Sequence, residues 1–411
     1  MALNELNIIY DISVLGMGTR SPAARTGVFR IIESLLDELL ECPDIHISFN
    51  ASPYHLDAAC DYLQQKGLIH PGRKIDHRSG TLLPLVKYLP NWFRYNLPQV
   101  VNLTNGSKLY ADQYAKADIF HTPWLPIPPA YETEEEVKKF ITVHDLIPII
   151  FPDFVTEDNV VQFMRILKSI TPDTWVLCNS HSTRNDLLNY HKNIDPEKVF
   201  VTHWAASSLF RPIHDESLIS RTIAKYNVPD APYILSLSTI EPRKNIKTLL
   251  QAFRELIVQE KIKDLNLVLV GTKGWKYQEI IDFIDSNPEI TSRVFFTGYI
   301  DDNDLAAVYS GAMAFVYPSY YEGFGLPPLE AMQCGVPVIC SNTSSLPEVV
   351  GDAGILIDPK KIEDLIQSIF RLCADDDLRK EVSDKSVAQA NRYTWKSCVN
   401  KTISIYKYSV T

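Results

Sequence analysis

The chain has 411 residues, 45% of them hydrophobic and 22% charged, with a net charge of −10 at pH 7. A length prior of roughly 100–200 residues per domain points to two domains with a sizeable core, and the acidic balance argues against a general nucleic-acid binder, which needs basic surface to neutralise phosphates. Seven scattered cysteines with no C-x-x-C pair give no zinc or redox spacing and read as reduced thiols, mostly in the core.

The N-terminus, MALNELNIIYDI, lacks a basic stretch followed by an apolar one, and no apolar run approaches the roughly 18 residues of a membrane span, so a cytoplasmic protein is the default expectation. From there, short apolar runs alternate with amphipathic helical stretches. LNIIYD (6–11) precedes VFRIIESLLDELL (28–40), IHISFN (45–50) precedes a helix near 55–66, and ADIFHTP, KFITVHD, TWVLCNS and KVFVTHW follow. Continuous apolar strands separated by helices predict a parallel sheet covered on both faces.

Between Lys66 and Lys108 seven basic residues face one acid, Asp76, and the middle of the stretch mixes Lys87 and Arg94 with Tyr88, Trp92, Phe93 and Tyr95. Two readings stand: a loop and helix with snorkelling basic side chains, or a peripheral contact of residues 84–97 with an anionic membrane on its inner face.

A looser polar stretch near 207–218 separates a second cycle of strands: YILSLS, NLVLVG, RVFFTG, AFVYPS, PVICS and GILIDP. We therefore expect a first α/β domain over 1–208, a second over 209–385, and a C-terminal helical segment, 386–411, packing back on the first. Ligands of such sheets bind beyond the carboxyl ends of the strands. At three of these ends, IEPRKN places Arg243 and Lys244 before a helix that Asn245 could cap, GTKGWK places Gly271 and Thr272 in a glycine-flanked turn, and YEGFGLPPLE places Glu322 and Glu330 around Gly323 and Gly325. The two prolines, 327 and 328, suit a first helical turn. Cations beside a positive helix end suit a phosphate or diphosphate; taken singly, the same residues read as surface charge and helix-dipole complements. GMGTRSPAARTG lacks the third glycine of a dinucleotide fingerprint, GTKGWK is no P-loop, and DDND (301–304) reads as a helix cap rather than a metal motif.

Glu322-x7-Glu330 within YEGFGLPPLEAMQCGVPVI, with SSLPEVVGDAGILIDP, TGYIDDNDLAAVYSGAMAFVYPS and EPRKN, resembles the E-x7-E signature of the retaining nucleotide-sugar glycosyltransferases of family 4, or group 1. The first domain resembles them more loosely, through ITVHDLIPIIFP, NSHSTRNDL and TGVFR. The resemblance implies the GT-B architecture, two Rossmann-like α/β domains with parallel sheets facing a central cleft. It implies that Glu330 holds the donor ribose and Glu322 a hydroxyl of the transferred sugar. The amides of Gly323, Phe324, Gly325 and Leu326 would lie near the sugar and diphosphate, Lys244 and Arg243 at the diphosphate, Gly271 and Thr272 beside the donor, and Ile300 at the base. His144 matches the family's cleft histidine, and Gly27 and Asp145 fall on the acceptor side. Relatives with an arginine five residues before the lysine differ here, where Thr239 stands.

The implied reaction moves a hexose from a nucleoside-diphosphate sugar (GDP-mannose, or a UDP- or dTDP-sugar) to a hydroxyl of a glycan or lipid-linked acceptor in bacterial surface polysaccharide or glycoconjugate assembly. Configuration would be retained, with no metal and no cofactor, the incoming hydroxyl losing its proton to the departing phosphate; double displacement through Glu322 or Asp145 is the alternative. A non-catalytic sugar-nucleotide-binding scaffold, an epimerase and a phosphorylase of related architecture are the competing classes.

Overall fold

The computed structural model describes residues 6–21, 27–52, 54–67, 117–131, 134–259, 262, 264–274 and 277–411. Most of the basic stretch between Lys66 and Lys108, including the expected membrane contact at 84–97, lies outside these residues. The apolar runs form two six-stranded parallel sheets. The first contains β1 (Leu6–Asp11), β2 (Ile45–Asn50), β3 (Ile119–Thr122), β4 (Lys138–Val143), β5 (Trp175–Cys178) and β6 (Val199–Val201), in the order β2-β1-β3-β4-β5-β6. The second contains β7 (Tyr233–Leu237), β8 (Asn266–Val270), β9 (Val294–Gly298), β10 (Ala314–Tyr317), β11 (Val338–Ser341) and β12 (Ile355–Ile357), in the order β12-β11-β10-β7-β8-β9. In the second sheet the order reverses between β7 and β10, the switch point where an open α/β sheet leaves a crevice. This is the GT-B architecture.

Eight helices set the site. They are α1 (Gly27–Leu40), α2 (His181–Tyr190), α3 (Ile246–Val258), α4 (Asp302–Ser310), α5 (Leu326–Gln333), α6 (Leu346–Val350), α7 (Asp376–Ala390) and α8 (Trp395–Ser409). Helical spacing turns one apolar face of each long helix to its sheet: Phe29, Ile32, Leu36 and Leu39 of α1 are buried, as are Ile246, Leu249, Leu250, Phe253 and Leu256 of α3. One core cluster includes Leu36 of the first domain, Trp204 after β6, and Phe324, Leu329 and Tyr309 of the second. The two domains thus share an apolar seam, worth on the order of 25 cal/mol per Å² of apolar surface kept from water.

The C-terminal segment is two helices. α7 belongs to the second domain: its Ser386 hydroxyl donates to the Ala353 carbonyl at 3.1 Å and its Gln389 amide to that of Val349 at 3.0 Å. α8 returns to the first, where the Tyr406 hydroxyl meets His121 Nδ1 at 2.5 Å and Lys407 pairs with Asp44 at 2.9 Å. The expected cut at 385/386 falls inside α7; the crossing is made at Asn391–Thr394, where Thr394 caps α8 by accepting from Ser397 N. All seven cysteines are free thiols, five of them buried. Among the described residues no helix is long and apolar enough to cross a membrane.

Candidate active site

The crevice at the switch point is built from the loops that follow β7 and β10. After β7 the chain makes a tight turn at Pro242–Lys244 and then places Asn245 in the left-handed region, φ 57°. Asparagine tolerates that conformation better than other side chains. Its side chain does not cap α3, contrary to expectation; the amide donates instead to the Pro359 carbonyl at 3.0 Å, which pins the turn to the end of the second sheet. The turn thereby aims Arg243 and Lys244 at the loop after β10.

Both cations grip Glu322. Arg243 Nη1 lies 3.0 Å from one carboxylate oxygen and Lys244 Nζ 2.7 Å from the other. Arg243 also pairs with Glu241 at 2.7 Å and donates to the Tyr321 carbonyl at 2.7 Å, while Lys244 donates to the Tyr317 hydroxyl at 2.8 Å. Burial alone would raise the Glu322 carboxyl, but the charges of Arg243 and Lys244 overcome it and bring it down to about 2. Burial and the neighbouring Arg243 lower the Lys244 ammonium, with Glu322 opposing them. The cluster holds two cations and two carboxylates in fixed positions, with the side chains of Arg243, Lys244 and Glu322 largely withdrawn from solvent.

Glu330 has a different setting. Gly325, at φ +116°, lets the loop turn into α5, and Pro327 and Pro328 start the helix where no backbone donor is needed. Glu330, in the second turn of α5, is 2% exposed. One oxygen accepts from the Tyr309 hydroxyl at 3.0 Å; the other lies 3.5 Å from Arg30, which also reaches Asp302 at 3.3 Å. Arg30 comes from α1 of the first domain, so a side chain that sequence reasoning passed over reaches across the cleft to the second glutamate. Burial raises the Glu330 carboxyl, against the lowering by Arg30 and Tyr309.

Gly323 brings the two domains into contact. A methyl group there would lie 2.2 Å from the His144 carbonyl oxygen and 2.7 Å from Asp145 Cβ. The Gly323 carbonyl accepts from the hydroxyls of Ser180 (2.7 Å) and Thr183 (3.1 Å) at the start of α2, and Asn179 donates to the His144 carbonyl at 2.7 Å. The His144 ring is buried between Trp124 and Trp204. Its Nε2 donates to the Pro123 carbonyl at 2.6 Å, which leaves Nδ1 as an acceptor with no partner among the described residues. Burial lowers the ring to about 4, so it is neutral at physiological pH. An orphaned buried acceptor at a cleft is suited to a ligand hydroxyl. Asp145, half-buried beside it, accepts from Ile147 N at 2.9 Å.

The remaining expected residues are more spread. Gly271, φ +136°, approaches the Ser238 carbonyl so closely that a methyl would sit 2.0 Å from it, and Thr272 beside it is exposed. Ile300 buries its side chain in the core, leaving its neighbour Tyr299 68% exposed. Gly27 is exposed at the first position of α1, with nothing within 4 Å of an added methyl, so it joins the site only through the helix that carries Arg30. Asp301 caps α4 by accepting from Asn303 N at 3.0 Å, the role read from DDND.

A family model described as glycosyl transferases group 1 matches residues 220–388. The O-antigen chain mannosyltransferase B of Escherichia coli is 34% identical over 290 residues, covering 70% of this chain and 74% of that protein. The serotype-specific mannosyltransferase WbdA of Escherichia coli is 30% identical over 269 residues, 65% of this chain but 33% of that longer protein. A solved structure of sucrose-phosphate synthase from Thermosynechococcus elongatus superposes with a TM-score of 0.69 at 20% identity, covering 98% of both chains, and so speaks to the fold.

Proposed function

This chain belongs to the group 1 glycosyl transferases, and on that premise we propose that it moves a mannosyl residue from a nucleoside-diphosphate sugar, GDP-mannose being the first donor to test, to a hydroxyl of a glycan or lipid-linked acceptor in surface polysaccharide assembly. It is a hexosyltransferase; the mannosyl choice is supported by the names of its relatives. The observation that carries the site assignment is the buried pair Arg243 and Lys244 held on Glu322 at the switch point of the second sheet.

Breaking the anomeric carbon–phosphate oxygen bond leaves negative charge on the diphosphate. Arg243 and Lys244 stabilise it as it develops, without a metal, because they are already desolvated and oriented. Glu322, ionised throughout the working range, accepts a hydrogen bond from a hydroxyl of the moving sugar and keeps both cations in place. Glu330 accepts from the ribose hydroxyls, and His144 Nδ1 from a sugar hydroxyl across the cleft. The acceptor hydroxyl attacks on the face the diphosphate leaves and gives its proton to the departing phosphate oxygen, so the anomeric configuration is retained and no protein nucleophile is used. Reaction takes place on the cytoplasmic side, where nucleotide sugars are at hand.

Two measurements test this. In a thermal-shift panel of GDP, UDP, dTDP and ADP, GDP should raise the melting temperature most, because a ligand that binds only the native state stabilises it. Incubation with GDP-mannose and a mannose-terminated glycan should give GDP and an α-linked product in equal amounts. Silence of every nucleotide in the panel would remove the donor assignment, and an isomerised free sugar nucleotide would mean an epimerase.

A further inference from the structure

We propose that His181, His203 and Glu348 form a transition-metal site of the zinc type that staples the two domains together behind the donor loop. The inference is independent of the reaction assigned above.

The three residues come from separate segments. His181 is the first residue of α2, His203 lies two positions past β6, and Glu348 stands in α6 of the second domain. One ligand atom from each can be chosen so that all lie within 4.8 Å of one another. The carboxylate is already fixed: His181 N donates to both its oxygens at 3.0 and 2.9 Å, and His203 Nε2 is 2.5 Å from Oε1. The two imidazole rings are 5.6 Å apart between centroids. Zinc bonds of about 2.0–2.2 Å to nitrogen and oxygen place neighbouring ligand atoms roughly 3.2–3.5 Å apart. An ion would therefore have to open the 2.5 Å His203–Glu348 contact by under 1 Å and draw in His181, whose side chain is exposed and has room to turn.

Two imidazoles and one carboxylate suit zinc or cobalt better than magnesium or calcium, which favour all-oxygen sets. A cavity of about 230 Å³ opens beside His203 and Glu348, lined also by Thr394 and Ser397, with room for water to complete a tetrahedron. Arg392 and Lys401 line it too. Nearby structure supports the ligands from behind: Tyr393 donates to the Glu348 carbonyl at 2.7 Å, and the His203 ring lies against Tyr393 and Phe324. Phe324 belongs to the donor loop, so an ion bound here fixes the loop's support and the closed cleft together.

The test uses the full chain without a polyhistidine tag, stripped with chelator and titrated with Zn²⁺ alone and with Co²⁺ alone. One equivalent should bind saturably, raise the melting temperature, and with Co²⁺ give the visible absorption of a tetrahedral site. His203→Ala and Glu348→Gln should each lose at least tenfold in affinity, and so should His181→Ala, whose exposed side chain can be removed without disturbing the fold. Glu348→Gln keeps an oxygen for His181 N, so its metal-free melting temperature serves as the folding control. Absence of saturable binding at one equivalent, or unchanged affinity in His181→Ala and His203→Ala, overturns the proposal.

Discussion

Glu322 and Glu330 are eight residues apart, both are buried, and they titrate in opposite directions. Glu322 lies in the loop between two cations of its own domain, and its carboxyl is pulled down to about 2. Glu330 lies in α5, with one hydroxyl from its own domain and one guanidinium from the other, and burial prevails. The ion pairs of the Glu322 carboxylate therefore lie within the second domain, even though its neighbour Gly323 touches the first, whereas the ion pair of Glu330 depends on how the first domain sits. A donor held as proposed would report on two things at once: the fixed charge of one domain and the closure of two.

The contrast can be broken from either end. Removing the Glu322 charge should have the largest effect on stability: Glu322→Gln leaves Arg243 and Lys244 buried with Glu241 alone to balance them, and should cost about 3 kcal/mol in urea unfolding at pH 7. Lys244→Ala should lower kcat/KM ten- to a hundredfold, about 1.5–3 kcal/mol, as a charge-assisted contact to the leaving group is lost; a neutral result would sink the diphosphate role. Arg30→Ala should destabilise by about 1–2 kcal/mol in urea unfolding at pH 7, because it leaves the buried Glu330 carboxylate with the Tyr309 hydroxyl alone. It should also weaken the coupling of nucleotide binding to cleft closure, read by small-angle scattering with and without GDP.

The smallest effect is a pair of opposite slopes. The folded-state pKa of Glu322 lies below its ordinary 4.5, so its stabilisation is complete above about pH 4.5 and is lost as pH falls toward about 2. Glu330 is raised above 4.5, so its contribution falls as pH rises through the interval just above that value. The stability gap between wild type and Glu322→Gln should narrow on acidification below pH 4.5, and Glu330→Gln should flatten the opposing trend above it. Parallel curves for the two variants would show that the environments do not differ as described.

Much of the second domain was legible because its signals are local. Apolar runs of strand length, glycines at forced turns and the E-x7-E spacing lie within a few residues of the features they produce, and β7 to β12 formed where those runs stand. Arg30 was hidden because nothing in TGVFR says which carboxylate it will meet 300 residues later; that is decided by packing α1 against its sheet and the sheet against the other domain. His203 read only as the end of an apolar run, and Glu348 only as part of LPEVV, since each gains meaning from the other. Asn245 was misjudged for a related reason: a cap is the local option, and the distant Pro359 carbonyl took the amide instead.

The polypeptide passes between the domains twice, once along the stretch after β6 and again at Asn391–Thr394 before α8 returns to the first sheet. A body held by a single thread can swing and twist, but one held by two is confined mainly to turning about the line that joins them. The second domain is in effect a door on two hinges, and the Gly323–His144 contact is where it meets its frame. A single rotation would then serve both to open the cleft and to close it, and cutting the chain before α8 would remove one hinge while leaving both sheets intact.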